Sequence, residues 1–475
     1  MIKFQFADLH CHTTLKTFGK SFSNSRKSSV WYKNSPNFFS KLFQKISGIT
    51  KFSQADFCTM AKGNVKIAFV SFYPFEKGFF KSPYINNKIV AVIANLITSI
   101  GYNRIRFIQK HQSYFTDLMN EYNFLLNSKT IFKVKNETYC WELSSPNNVL
   151  KSKKKDNKIF VIPTIEGAHV FNSGLTEYGS RLNEEELLIN IQKIKSLKYP
   201  PLFITFAHNF NNDLCGHAPS LEPLKGLVDQ SKNLDSGISL IGYKVIDELL
   251  KNDNQKPILI DVKHMSLKSR LEYYKLIETK YNNCIPIIVS HGAVTGRSLF
   301  GKSKGSISAE YFANDTINFY NEELVSIAKS NGLFAIQLDA KRLAPKHLIK
   351  KPLFKQNKNE ALKNSALIIW RQLQHVAEIL DAEGLPAWET CCIGSDFDGT
   401  INPLNEIWTS RDFNKMANML VEFAEDYLQS HNDLKLKRNR DLDPKDLITN
   451  FCINNTIKFL KQQQEYDVRD YVLSS

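Results

Sequence analysis

Apolar residues along the chain fall into short runs, most of them followed by a stretch with helical spacing, and the strand runs number eight. The first run, Ile2, Phe4 and Phe6, alternates as a half-buried strand does and leads into Asp8-Leu9-His10-Cys11-His12. The second, 65–73 (VKIAFVSFY), is continuously apolar, as expected of a strand covered on both faces. Further strands are predicted at 158–166, 202–208, 258–264, 285–291, 333–339 and 390–396. Helices are predicted at 183–198, with Asn183 as N-cap and acidic residues in the first turn, and at 267–281, with Ser266 as N-cap. Others are expected near 241–251, over NEELVSIAKSNG, and at 362–380, 411–428 and 444–461.

Eight strand–helix alternations predict an α/β fold, a (β/α)8 TIM barrel. A doubly wound open sheet has less support, because no glycine-rich dinucleotide turn follows the first strand. The extra length falls in a Ser-, Lys- and Phe-rich segment at 13–53, expected as a loop with one or two short helices, and in a helical insertion within 76–157. One barrel domain spanning residues 1–475, closed by C-terminal helices at 411–462, accommodates both.

Composition changes this picture little. Hydrophobic content of 43% and charged content of 23% are ordinary for a globular chain. The net charge of +15 raises nucleic acid or an acidic surface as partners. Lysine is spread widely, however, and its one dense cluster at 151–155 is expected in a solvated loop, so no nucleic-acid partner is expected. The eight cysteines follow no metal-finger or secreted disulfide spacing. A reducing, cytoplasmic setting is expected, without signal peptide or membrane span.

Position is more informative. Of 11 histidines, His10, His12, His208, His264 and His291 stand at the C-terminal ends of four predicted strands. Glu166 ends the third strand and Asp396 the eighth. In a barrel these ends converge on one mouth, where active sites are built. Each residue alone also has an ordinary reading: a hydrogen-bonded histidine, a carboxylate capping the turn at Gly167, an aspartate stabilising the turn in Gly394-Ser395-Asp396-Phe397-Asp398-Gly399. Together they form a donor set suited to zinc or a similar divalent ion. Strand alternation turns Cys11 away from His10 and His12, so it is expected in barrel packing, as are Cys391 and Cys392; His169 is expected as a loop residue.

These pieces carry a resemblance. DLHCH at Asp8, IEGAH at Ile165, FITFAHNFNND at Phe203, ILIDVKHMS at Ile258, PIIVSHGA at Pro286 and IGSDFDG at Ile393 resemble, in order, the membrane (renal) dipeptidases of the amidohydrolase superfamily. The resemblance implies a metallodipeptidase with two divalent ions, zinc foremost. It implies metal ligation by His10 and His12, bridging by Glu166, and a second metal held by His264 and His291. It further implies proton handling by Asp396, with His208 facing the scissile carbonyl and binding substrate. This chain departs from the family at His12, where the family motif carries aspartate, which removes one negative charge from the site. The family's carboxylate-binding arginine has no clear counterpart; Arg297 is the candidate, Lys302 a second.

The function expected is hydrolysis of a dipeptide or related small amide by a metal-activated hydroxide, with a homodimer as a possible assembly. Three alternatives are a phosphoesterase of the polymerase-and-histidinol-phosphatase type, whose opening motif DLHCHT also resembles, an amidohydrolase acting on a non-peptide amide, and a non-catalytic binding protein. Against the phosphoesterase, GSDFDG lacks the late Asp-x-His pair.

Overall fold

The computed structural model of the chain describes residues 2–82, 85–134, 136–151, 157–221, 228–252, 255–349, 357–430 and 434–465. Ten strands are present among them: β1 Phe6–Cys11, β2 Val65–Phe72, β3 Ile131–Val134, β4 Glu137–Leu143, β5 Lys158–Glu166, β6 Phe203–Thr205, β7 Leu259–Asp261, β8 Ile288–Gly292, β9 Leu333–Ile336 and β10 Cys391–Ile393. Eight of them pair in parallel in the order β1-β2-β5-β6-β7-β8-β9-β10. The ring is drawn shut beyond β10, where Asp396 N donates to His10 O (2.9 Å) and His12 N to Phe397 O (2.9 Å). The result is a nearly closed barrel of the (β/α)8 type.

The hairpin β3–β4 was not predicted. It is antiparallel within itself and adds β4 alongside β5, off the barrel path. The rest of that insertion is helical, as expected: Asn87–Thr98, Tyr102–Lys110, Tyr114–Leu126 and Pro146–Lys151. The segment at 13–53 holds two helices, Leu15–Ser21 and Phe38–Ser47. Of the lysine cluster at 151–155, all but Lys151 lies outside the described residues.

Strand boundaries differ from the apolar runs for a physical reason. β1 starts at Phe6 instead of Ile2, because the backbone N–H groups of Ile2 and Phe4 are taken by the side chains of Asn418 (2.8 Å) and Asn414 (2.9 Å). β6 and β7 are shorter than their runs because Phe206, Ala207 and Val262 stay buried after regular pairing ends. Apolarity reports burial; it does not report pairing. Asn183 and Ser266 do cap their helices, accepting from Glu186 N and Ser269 N, and the second helix, Leu267–Tyr281, has the predicted ends. The helix expected at 444–461 is interrupted by a widened turn at Asn450–Asn454. Just after it Asn455 donates to the carbonyls of Trp388 and Cys391 (both 2.8 Å), anchoring the helix below β10.

Candidate metal centre

The floor of the mouth is laid by two buried aspartates, Asp8 and Asp261. Asp8 stands two residues before His10 and accepts from Ser395 N (2.8 Å) and Ser395 Oγ (2.5 Å), tying β1 to the end of β10. Asp261 at the end of β7 accepts from Thr205 Oγ1 (2.5 Å) and Ser290 Oγ (2.6 Å), joining β6, β7 and β8. Ser290 Oγ, having given its hydrogen to Asp261, accepts from His291 Nδ1 at 2.8 Å. That relay puts the His291 ring hydrogen on Nδ1 and leaves the Nε2 lone pair free.

Above this floor all seven predicted strand-end residues come together around Glu166. His12 Nε2 lies 3.1 Å from Glu166 Oε2. His10 and His208 Nε2 lie 3.5 Å from Oε1, and His264 and His291 Nε2 lie 3.7 Å from it. Asp396 Oδ1 is 3.6 Å from His12 Nε2 and 4.0 Å from His10 Nε2. Two of these residues hold backbone angles that side-chain-bearing residues rarely adopt: φ is 66° at His264 and 56° at Asp396. Such conformations cost roughly 1–3 kcal/mol each and cluster at functional sites.

The turn GSDFDG explains itself here. A Cβ on Gly394 would meet Ser290 O at 1.9 Å, and one on Gly399 would meet Asp396 Oδ1 at 2.0 Å. Both glycines make room, the second for the carboxylate itself. Asp398, the other acid of the turn, faces away and accepts from Lys16 Nζ (2.9 Å) and the backbone of Gln54 and Ala55.

The electrostatics suit a bound cation. Burial opposes the charge of Glu166, but His208, His12 and His10 outweigh it and hold the carboxyl well below its usual range. Burial drives His10, His264 and His291 down, so those rings are neutral and offer lone pairs. Burial first, and the Glu166 charge second, push Asp396 well up. Nε2 atoms pair at 3.1 Å (His10 and His12) and 3.3 Å (His264 and His291), close enough for one ring to donate to the other or for both to turn their lone pairs on one cation. Nδ1 of His10, His12 and His264 has no protein partner, so the ligating edge of those rings is the one turned inward. Three overlapping donor groups are close enough to hold an ion: His10, Glu166 and His291; His10, His12 and Asp396; Glu166, His208 and His264. The residues present therefore fit a divalent metal.

Several contributors escaped the sequence reading. Glu76, in the loop after β2, accepts from His208 Nδ1 (2.8 Å), from Asn209 N (3.1 Å) and from the Tyr73 hydroxyl. Although burial opposes it, His208 and His169 hold Glu76 down to about 2, and Glu76 in turn raises His208. Nothing in the residues around Glu76 signals this. Lys263 shares the inward face with Asp261, is buried, and has no hydrogen-bond partner at Nζ. Burial and the nearby Arg342 push its amine down to about 7. Its signal was parity with Asp261. Arg297 is not brought into the cluster: its side chain is exposed, as is that of Lys302. His169 bonds Pro74 O (2.7 Å), and Cys11 packs with its thiol toward Phe69 O, both outside the donor set as expected.

No protein-family model and no curated protein matches the chain. Solved structures do. Dipeptidase AC, a metallopeptidase of family M19, aligns over 97% of this chain and 99% of its own with a TM-score of 0.53 at 13% identity. The probable dipeptidase PvdM from Pseudomonas aeruginosa aligns over 98% and 96%, with a TM-score of 0.52 at 13% identity. A metallopeptidase from Rhodobacter sphaeroides, solved with a phosphinate mimic of the dipeptide L-Ala-D-Ala, aligns over 97% and 100%, with a TM-score of 0.54 at 12% identity. The chain thus carries, over nearly its full length, the fold of an M19 metallopeptidase, a probable dipeptidase and a further metallopeptidase.

Proposed function

We propose that the chain is a metal-dependent dipeptidase, hydrolysing a dipeptide or a related small amide. The observation that carries this reading is the convergence of five imidazole Nε2 atoms on the single buried carboxylate of Glu166, at 3.1–3.7 Å, in a barrel shared with M19 dipeptidases. His10 and His12 would hold one divalent ion and His264 and His291 a second, with the Glu166 carboxylate within reach of both pairs. When bound, the ions acidify a water and polarise the scissile carbonyl. Zinc suits the nitrogen-rich donor set, and His12 leaves the site one negative charge poorer than an aspartate would.

The remaining roles belong to this chain's own side chains. Asp396, whose carboxyl takes up a proton readily in its buried place beside Glu166, accepts the water proton and returns it to the departing amine. Glu76 takes the Nδ1 hydrogen of His208 and raises the ring, so the imidazolium keeps a second hydrogen on Nε2 to donate to the oxygen that becomes negative at the tetrahedral stage. The ligand of the Rhodobacter sphaeroides neighbour, a dipeptide phosphinate, supports the same substrate class.

The test is a panel of L,L- and L,D-dipeptides, with p-nitrophenyl phosphate run beside it on the same zinc-loaded protein. Turnover of dipeptides is expected. Stoichiometric metal with no dipeptide turned over sinks the proposal, and hydrolysis of the phosphate ester alone would transfer the site to the phosphoesterases.

A further inference from the structure

The helix Asn87–Thr98 is turned the wrong way for a protein in water. It buries Ala91 and exposes Ile89 (54%), Val92 (57%), Ile93 (46%) and Leu96 (67%), spaced as one stripe along its outer side. A second helix, Phe38–Ser47, does the same with Phe38 (63%), Phe39 (78%) and Ile46 (71%). The two belong to the connections that leave the C-terminal ends of the neighbouring strands β1 and β2, on the side of the mouth. Gln44 ties the second helix to Asn402 in the loop after β10 (2.5 Å).

Charge singles out the same two connections. Residues 9–55 contain eight Lys and Arg and no Asp or Glu, and residues 77–116 contain six and none. These fourteen cations, out of 62 in the chain against 47 acids, account for nearly all of the net charge of +15. Two of them are neutralised from outside their own segments, Lys16 by Asp398 and Arg104 by Asp117. Within their own sequences both connections are strongly positive.

We propose that these two helices form a docking surface for an anionic lipid bilayer, their apolar stripes lying at the boundary between headgroups and acyl chains. Exposed Phe, Ile and Leu with surrounding Lys and Arg are the composition of in-plane membrane helices. Among the described residues no helix is long and apolar enough to cross a membrane, so the contact lies in the interface plane. A second copy of the chain is the poorer occupant, because a two-fold contact would set two strongly positive connections against each other. Nucleic acid has no use for the apolar stripes.

The inference goes beyond the hydrolase reading and is tested without metal or substrate. Full-length protein is sedimented with phosphatidylcholine vesicles, with and without phosphatidylglycerol. Retention on the anionic vesicles is expected to exceed that on neutral ones by at least about ten-fold, and to fall as salt is raised. The double variant Ile89→Asp, Leu96→Asp should lose it, and Phe39→Asp on the other helix should weaken it independently, which keeps the test open if one variant folds poorly. Equal retention on both vesicle types, or none on either, overturns the proposal. So does a wild-type dimer that these substitutions convert to monomer without vesicle binding, or nucleic-acid binding that survives them.

Discussion

Two regions of this molecule break the rule that apolar groups go inside and polar groups outside, and they break it in opposite directions. At the strand ends, His10, His12, Glu166, His208, His264 and His291 are all buried, with Asp396 nearly so. On Asn87–Thr98, four large aliphatic side chains stand in solvent. Buried ionisable groups must find a counter-charge or become neutral, and here burial keeps His10, His264 and His291 neutral around the Glu166 charge, leaving lone pairs that suit a cation. Exposed aliphatic groups carry no such compulsion; they gain only when an apolar surface arrives. The first region is thus expected to respond steeply to single substitutions, the second hardly at all until its partner is present.

The sharpest way to break the contrast is Glu166→Gln. Removing the shared charge should cut activity by at least about 10³-fold and strip metal from the protein, read by metal analysis after dialysis. Metal retained at wild-type stoichiometry would show that Glu166 is not the hub. Gly399→Ala is next: its Cβ would stand at 2.0 Å from Asp396 Oδ1, so the carboxylate must move while the metal ligands stay. Activity should fall by about 10²-fold in kcat with metal content unchanged.

Glu76→Gln acts one step further out and should cost about 10- to 100-fold. Glu76 raises His208, so its loss should also move the alkaline limb of the pH–activity profile to lower pH. An unmoved limb would separate His208 from the profile.

His375, on the helix Lys358–Ala382, sharpens the comparison among histidines. It is as buried as the mouth histidines, bonds Asn321 Oδ1 at 2.8 Å, and burial alone pushes it down to about 4. The unfolded chain then binds the proton that the folded chain refuses, so its contribution to stability is lost as pH falls from about 6.5 toward 4. In urea melts of metal-stripped protein, His375→Gln should lose about 2 kcal/mol less than wild type between pH 7 and 5. Smallest of all, Leu96→Asp should change the melting free energy by no more than about 0.5 kcal/mol, since Leu96 is largely exposed; a larger loss would mean the helix is held by its outer face.

The difference in legibility follows the same division. DLHCH, the strand-end histidines and IGSDFDG were readable because β-alternation and apolar runs are local, and strand ends inherit their positions from those runs. Helix ends at Asn183 and Ser266 were readable for a like reason, since caps act within one turn. The β3–β4 hairpin was not, because its strands are stabilised by attachment to β5 and not by a strong pattern of their own. Glu76, Asp261 and Lys263 lay in plain view but acquire their roles from partners distant in the chain; Glu76 meets His208 across 132 residues.

By itself the sequence determined the eightfold alternation, the chemistry waiting at the strand ends, and the departure at His12. Tertiary structure decided which of those groups meet, that Glu166 stands at their centre, that Arg297 stays outside, and that one apolar helix faces outward. The reason is that periodicity acts between neighbours a few residues apart. Closure of a parallel barrel instead joins residues separated by hundreds, and only after it closes do the strand ends share one dry, charged enclosure.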